Sequence, residues 1–133
     1  MKLLINMSNN LGGGGLQVAL SILNELQYFP ENEYHVCISN KIISQVLNKN
    51  HSFIKYYVLD KPSILSISSV MKKLERKIKP DVVFSVFSPT YWRPISKHIA
   101  GFAIGHYLYS DSPFYQTLKI IDKLKLFLKK MIH

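Results

Sequence analysis

The chain is short of cysteine, of acidic residues and of long apolar runs, and each shortage excludes something. Its one cysteine, Cys37, cannot form an internal disulfide. It sits inside an apolar run and reads as a buried core thiol of a protein kept in a reducing compartment, with a catalytic thiol as the sharper alternative. No stretch approaches the roughly 20 apolar residues of a membrane span. After Lys2 the run Leu3-Leu4-Ile5 is too short for the apolar centre of a signal peptide, so the expected location is cytoplasmic. The histidines are His35, His51, His98, His106 and His133. No two have the i, i+4 spacing of a helical zinc pair, and no metal is expected.

Acidic residues number 8 against 17 lysines and arginines, for a formal net charge of +9. The excess is uneven. Residues 1–60 carry Lys2, Lys41, Lys49 and Lys55 against Glu25, Glu31, Glu33 and Asp60, which cancel, so the whole surplus lies in residues 61–133. Such asymmetry points to an acidic partner: lipid, nucleic acid or a phosphorylated substrate. Single-stranded nucleic acid calls for basic and aromatic residues interleaved. Here the lysines fall on helical patterns and the aromatics in loops, so no nucleic acid is expected.

What the chain does have is a run of glycines. Leu3-Leu4-Ile5 reads as a strand, Gly12-Gly13-Gly14-Gly15 as a loop, and Leu16, Ala19, Leu20, Leu23 and Leu26 as one stripe of a helix. Glycines allow close backbone approach, and a helix start offers N–H groups and the positive end of a dipole to an anion. A tight turn with close helix–strand packing is the plainer reading. Further apolar runs at Glu33–Ser39, Phe53–Leu59, Val82–Val86 and Ile99–Ile104 predict four more strands. Helical spacing predicts helices over Lys41–Leu47, from Ser63 to about Ile78, and from Phe114 to the end. The alternation predicts an α/β fold: one domain over residues 1–133, an open, mostly parallel sheet with helices on both faces, closed by a basic amphipathic helix over residues 114–133. In such sheets ligands sit at the carboxyl ends of strands. Three unusual loops follow strands: the glycine loop, the loop with Tyr91 and Trp92, and the loop with His106 and Asp111. Parallel strands would open all three on one edge.

Several chemistries lack their residues. The glycine run has no third glycine in the place a dinucleotide fingerprint needs, and no acid ends the second strand. No lysine follows it as in a Walker loop. There is no Gly-x-Ser-x-Gly elbow. His106, beside Gly105 at a strand exit, is either a loop histidine bonded to backbone or a polar contact to substrate.

Asn9-Asn10-Leu11-Gly12-Gly13-Gly14-Gly15-Leu16-Gln17-Val18-Ala19, Lys79-Pro80-Asp81-Val82-Val83-Phe84-Ser85 and Gly101-Phe102-Ala103-Ile104-Gly105-His106 occur in this order. Together they resemble the first domain of bacterial glycosyltransferases of the GT-B fold, above all the large retaining family 4. The resemblance implies the Rossmann-like N-terminal half of a two-domain enzyme that transfers a sugar from a nucleotide sugar to a cell-envelope or polysaccharide acceptor. This half would bind the glycan or lipid-linked acceptor. The donor-binding half, usually marked by Glu-x7-Glu, would be absent, leaving the chain a truncated domain inactive alone. The literal pair Glu25 and Glu33 straddles Pro30 and is a coincidence of spacing. By the resemblance, Gly13 and Gly14, with Gly15 in the same loop, would approach donor phosphate or acceptor, His106 would contact the transferred sugar, and no cofactor or metal is implied. Tyr91, Trp92 and Asp111 join the acceptor contacts from loop position. Lipid-linked acceptors would bring the chain to the inner face of the cell membrane as a peripheral protein. The terminal helix then either lies on anionic lipid or packs on the core. The alternative function is a stand-alone α/β module binding a phosphorylated small molecule or an anionic membrane surface without catalysis.

Overall fold

The computed structural model describes residues 1–10, 13–46, 53–59, 63–88, 90–101 and 113–132. Five strands, β1 (Lys2–Asn6), β2 (Glu33–Ser39), β3 (Ile54–Leu59), β4 (Val82–Ser85) and β5 (Lys97–Ala100), form one open sheet in the order β3-β2-β1-β4-β5. Every pairing is parallel. The helices are α1 (Gly13–Glu25), α2 (Asn40–Val46), α3 (Ile64–Ile78), α4 (Pro113–Thr117) and α5 (Ile120–Ile132). This is a Rossmann-like α/β architecture.

The near-continuous apolar runs have the physical cause that parallel sheets impose: both faces are covered. On one face Ile5, Val36 and Ile38 pack with Ala19 and Leu23 of α1 and Ile42 and Val46 of α2. On the other, Leu4, Cys37 and Val83 pack with Ile67, Met71, Leu74 and Ile78 of α3. The two-residue period of a strand sends Leu4 and Ile5 to opposite cores. Cys37 is fully buried, and desolvation pushes its thiol up to about 12, which removes it as a nucleophile near neutral pH.

Helix boundaries follow local chemistry. α1 tightens into a 3-10 turn at Leu26–Tyr28, and the chain then reaches Pro30. The Tyr34 hydroxyl donates to the Phe29 carbonyl at 3.0 Å, fixing this corner to β2. α3 begins in a capping box: Ser63 Oγ accepts from Ser66 N at 3.1 Å, and Ser66 Oγ accepts from Ser63 N at 2.8 Å. It ends at Lys79, which takes the left-handed conformation (φ 51) and donates its N–H to the Glu75 carbonyl at 2.9 Å. Arg76 and Lys77 in its last turn suit the negative end of the helix dipole.

Three boundaries differ from the sequence expectation by more than one residue. The fifth strand starts at Lys97 rather than Ile99, because His98 and Ile99 register against Val83 and Phe84. α1 starts at Gly13, inside the run read as a loop, so Gly13 to Gly15 form the helix's first turn. The terminal pattern is two helices, broken at Leu118-Lys119. The exposed residues of α5 include Ile120, Ile121, Leu124 and Phe127, so its described apolar residues are not packed into the core.

Candidate site at the carboxyl edge of the sheet

The strand order reverses between β1 and β4, with α1 and α2 on one face and α3 on the other. Connections leaving two adjacent strands in opposite directions open a crevice at their carboxyl ends. The first wall of that crevice is the start of α1. Gly13, Gly14 and Gly15 make its first turn, which contains no acidic residue. The positive end of the helix dipole therefore has no carboxylate of its own turn beside it. Gly13 takes φ +56, and nothing lies within 4 Å of where a Cβ would sit on Gly13 or Gly14. Both are exposed, whereas Gly15 is half-buried and a Cβ there would lie 3.5 Å from the Phe87 ring. Gly15 thus brings α1 against the segment that leaves β4.

Buried polar groups hold the strand exit beneath the glycines. The Asn6 side-chain oxygen accepts from Ser8 N at 3.1 Å and Ser8 Oγ at 2.6 Å. Asn6 O in turn accepts from Val86 N at 3.0 Å, tying the exits of β1 and β4 together. Asn10 Nδ2 donates to the Gly15 carbonyl at 2.8 Å. The Asn10 side chain thereby steadies the first turn of the helix, while its Oδ1 is buried without a partner. Ser39 Oγ, at the end of β2, is likewise buried and unpartnered. Buried polar atoms of this kind are uncommon in folded proteins.

The exit of β5 joins the same edge. Gly101 N donates to Ser85 O at 2.8 Å, and Ser88 N donates to Gly101 O at 3.1 Å. A Cβ on Gly101 would overlap the Val86 carbonyl oxygen. Only glycine permits this approach without a shift of the backbone. The exits of β1, β4 and β5 therefore lie on one edge, and α1 meets the segment leaving β4 at Gly15 and Phe87. His106 and Asp111 lie outside the described residues.

The loop after β4 sets both its aromatics against the core under α3. Trp92 is buried against Leu4, Met71 and Val83 in the core under α3, with its Nε1 unpartnered. Tyr91 is half-buried and adopts φ +62, a conformation uncommon for a bulky residue. Of the two aromatics expected from loop position, Tyr91 keeps the greater exposure.

Two features escaped the sequence reading. Glu75 is buried, and its Oε1 accepts from Ile95 N at 2.6 Å and Ser96 N at 2.8 Å. The signal was available: Glu75 stands four residues after Met71 and three before Ile78, on the apolar stripe of a helix whose other charges face out. The second is His98, whose Nε2 lies 3.1 Å from Ser85 Oγ. Burial lowers the His98 pKa from its ordinary 6.5, against a weaker upward pull from Glu75. A serine–histidine contact invites comparison with a nucleophile and its base. Ser85 is 0% exposed, so no substrate reaches it, and the contact serves to tie β5 to β4.

Compared with protein-family models, with curated proteins and with solved structures, the chain matches none. Among the described residues no group of three or more His, Cys, Asp or Glu side chains is arranged to hold a metal ion. A cavity of about 310 Å³ lies between the end of α3 and the start of β5, lined by Glu75, Arg76, Lys79, Pro80, Ile95 and Ser96. It is at the amino edge of the sheet, away from the glycine turn, and its one carboxylate is already occupied by two backbone amides.

Proposed function

We infer that the chain is the acceptor-side domain of a glycosyltransferase, one that moves a sugar from a nucleotide sugar to a cell-envelope or polysaccharide acceptor. By itself it is inactive, because the donor would be held by a second domain or subunit across the crevice. The observation that carries this reading is the acid-free glycine turn of α1 standing at the β1/β4 switch point. In open α/β sheets that is where ligands collect. Gly13 and Gly14 leave room for a phosphate or a sugar hydroxyl to approach backbone, and the helix dipole favours the anionic one. The motif order of the sequence resembles GT-B enzymes of retaining family 4 and narrows the ligand class to sugar donors and glycans. In this reading Gly13, Gly14 and Gly15 form the phosphate-facing lip, Tyr91 contacts acceptor, and His106 and Asp111 contribute from the loop after β5.

The openness around Gly13 and Gly14 also favours a second reading, a stand-alone module that binds a phosphorylated small molecule. The two separate experimentally. The chain is mixed with a donor-binding domain bearing Glu-x7-Glu encoded beside it, and release of nucleotide from a nucleotide sugar is followed. Transfer by the pair, absent from either part alone, supports the transferase. Strong thermal stabilisation of the chain alone by a sugar phosphate, with no transfer by the pair, supports the module, since a ligand that binds only the folded state stabilises it by mass action. Gly14→Asp adds a carboxylate where nothing crowds it and where a helix start tolerates one. It is expected to leave the fold intact and weaken either activity about tenfold by repelling the anion.

A further inference from the structure

Helix α5 (Ile120–Ile132) presents an apolar face that nothing in the described fold covers. Ile120 is 85% exposed, Ile121 68%, Leu124 59% and Phe127 60%. Among the described side chains of α1 to α4 the exposed large apolar residues are single ones, Val18 in α1 and Leu65 in α3, so four such residues on one helix need a reason. They stand at i, i+1, i+4 and i+7, which at about 100° per residue places them in a sector of about 120°. Lys123 and Lys125 border that sector on opposite sides, and Lys119 and Asp122 lie behind it. All three lysines are exposed. The segment 119–130 carries Lys119, Lys123, Lys125, Lys129 and Lys130 against one acid, Asp122. Asp122 pairs with Lys125 at 3.7 Å, but both side chains are largely exposed, so the pairing is weak and leaves the net charge strongly positive. No described helix is long and apolar enough to cross a membrane.

We propose that α5 lies in the plane of an anionic bilayer surface, with Ile120, Ile121, Leu124 and Phe127 entering the acyl boundary and the bordering lysines reaching lipid phosphates. The charge complementarity selects this occupant. A second copy of the same helix would set lysines against lysines, and a protein groove of ordinary composition would not require a basic border on both sides of the strip. Lysines at the border of an apolar strip are placed to extend their charged ends toward the headgroups while their stems cover apolar surface. The proposal does not depend on which ligand the sheet edge takes.

The test is sedimentation of the full chain with vesicles of phosphatidylcholine containing roughly a third phosphatidylglycerol, against vesicles of phosphatidylcholine alone. Binding to the anionic vesicles is expected to be at least about tenfold tighter, and to fall at least about tenfold between about 0.1 and 0.5 M salt. Leu124→Glu is expected to abolish it, and Lys123→Glu with Lys125→Glu to weaken it at least about tenfold. These side chains are exposed, so the far-UV spectrum and urea midpoint should stay put. Phe127→Trp keeps the face apolar, and its emission should shift to the blue on anionic vesicles only. Equal binding to both vesicle types, indifference to Leu124→Glu, or an unshifted Phe127→Trp emission overturns the proposal. So does failure to bind vesicles together with a concentration-dependent dimer that Leu124→Glu dissolves, which would make a second copy the occupant.

Discussion

Gly101 and Gly14 are one residue type in opposite circumstances. The backbone of Gly101 donates to Ser85 O, and the Val86 carbonyl oxygen occupies the space a Cβ would need, so an added methyl has no room. Gly101→Ala is expected to cost about 1–3 kcal/mol in urea unfolding. Gly14 is exposed at the start of a helix with nothing near, and Gly14→Ala should stabilise by up to about 1 kcal/mol, alanine being the better helix former. Equal effects at the two positions would contradict the geometry. A third residue makes a pH prediction. Glu33 Oε1 lies 2.9 Å from Lys55 Nζ and 2.9 Å from His35 Nε2. Hydrogen bonding from Lys55, then from His35, holds its carboxyl down from 4.5 to about 2. The folded state therefore binds this proton more weakly than the unfolded chain does. The stabilisation is complete above about pH 4.5 and is lost as pH falls toward about 2. Glu33→Gln should flatten that stretch of a stability-versus-pH curve, and added salt should shrink the wild-type slope, since the carboxylate is 43% exposed.

At the scale of elements, α3 does more than cover the sheet. Its Glu75 accepts from two consecutive amides of the segment entering β5, and so sets where the edge strand begins. Glu75→Ala should cost about 1.5–3 kcal/mol and speed hydrogen exchange at Ile95 and Ser96. Glu75→Gln keeps an acceptor oxygen and should cost less, and an unchanged exchange rate in Glu75→Ala would refute the role. Strands β1 and β2 and helices α1 and α3 were legible in the sequence, because their apolar periods match the layers they pack between. β5 was displaced because all four of its residues, Lys97 to Ala100, are exposed, so burial writes no pattern into it. The terminal helix was expected in one piece, since the break at Leu118-Lys119 carries no proline or glycine to mark it.

For the whole molecule, the legible part is the parallel sheet whose carboxyl edge holds the candidate site. A glycine run after a buried strand, and unusual loops after two later strands, sufficed to direct attention to one sheet edge. What the sequence did not disclose is how that edge is held: Asn10 on the Gly15 carbonyl, Asn6 joining the exits of β1 and β4, and Trp92 in the core instead of the loop surface. Those are contacts between residues far apart in the chain or of types that serve many roles, so no local pattern announces them. The account stands on the β1/β4 crevice being the ligand-facing part of the molecule. The most direct measurement is a titration of the isotope-labelled chain with a nucleotide sugar, with a sugar phosphate and with a short glycan, following every backbone amide by NMR. The account predicts that the largest shifts fall on Gly13–Leu16, Val86–Ser88 and Gly101. Shifts confined to the Arg76–Lys79 cavity at the opposite edge, or none at the glycine turn with any of the three ligands, would contradict it.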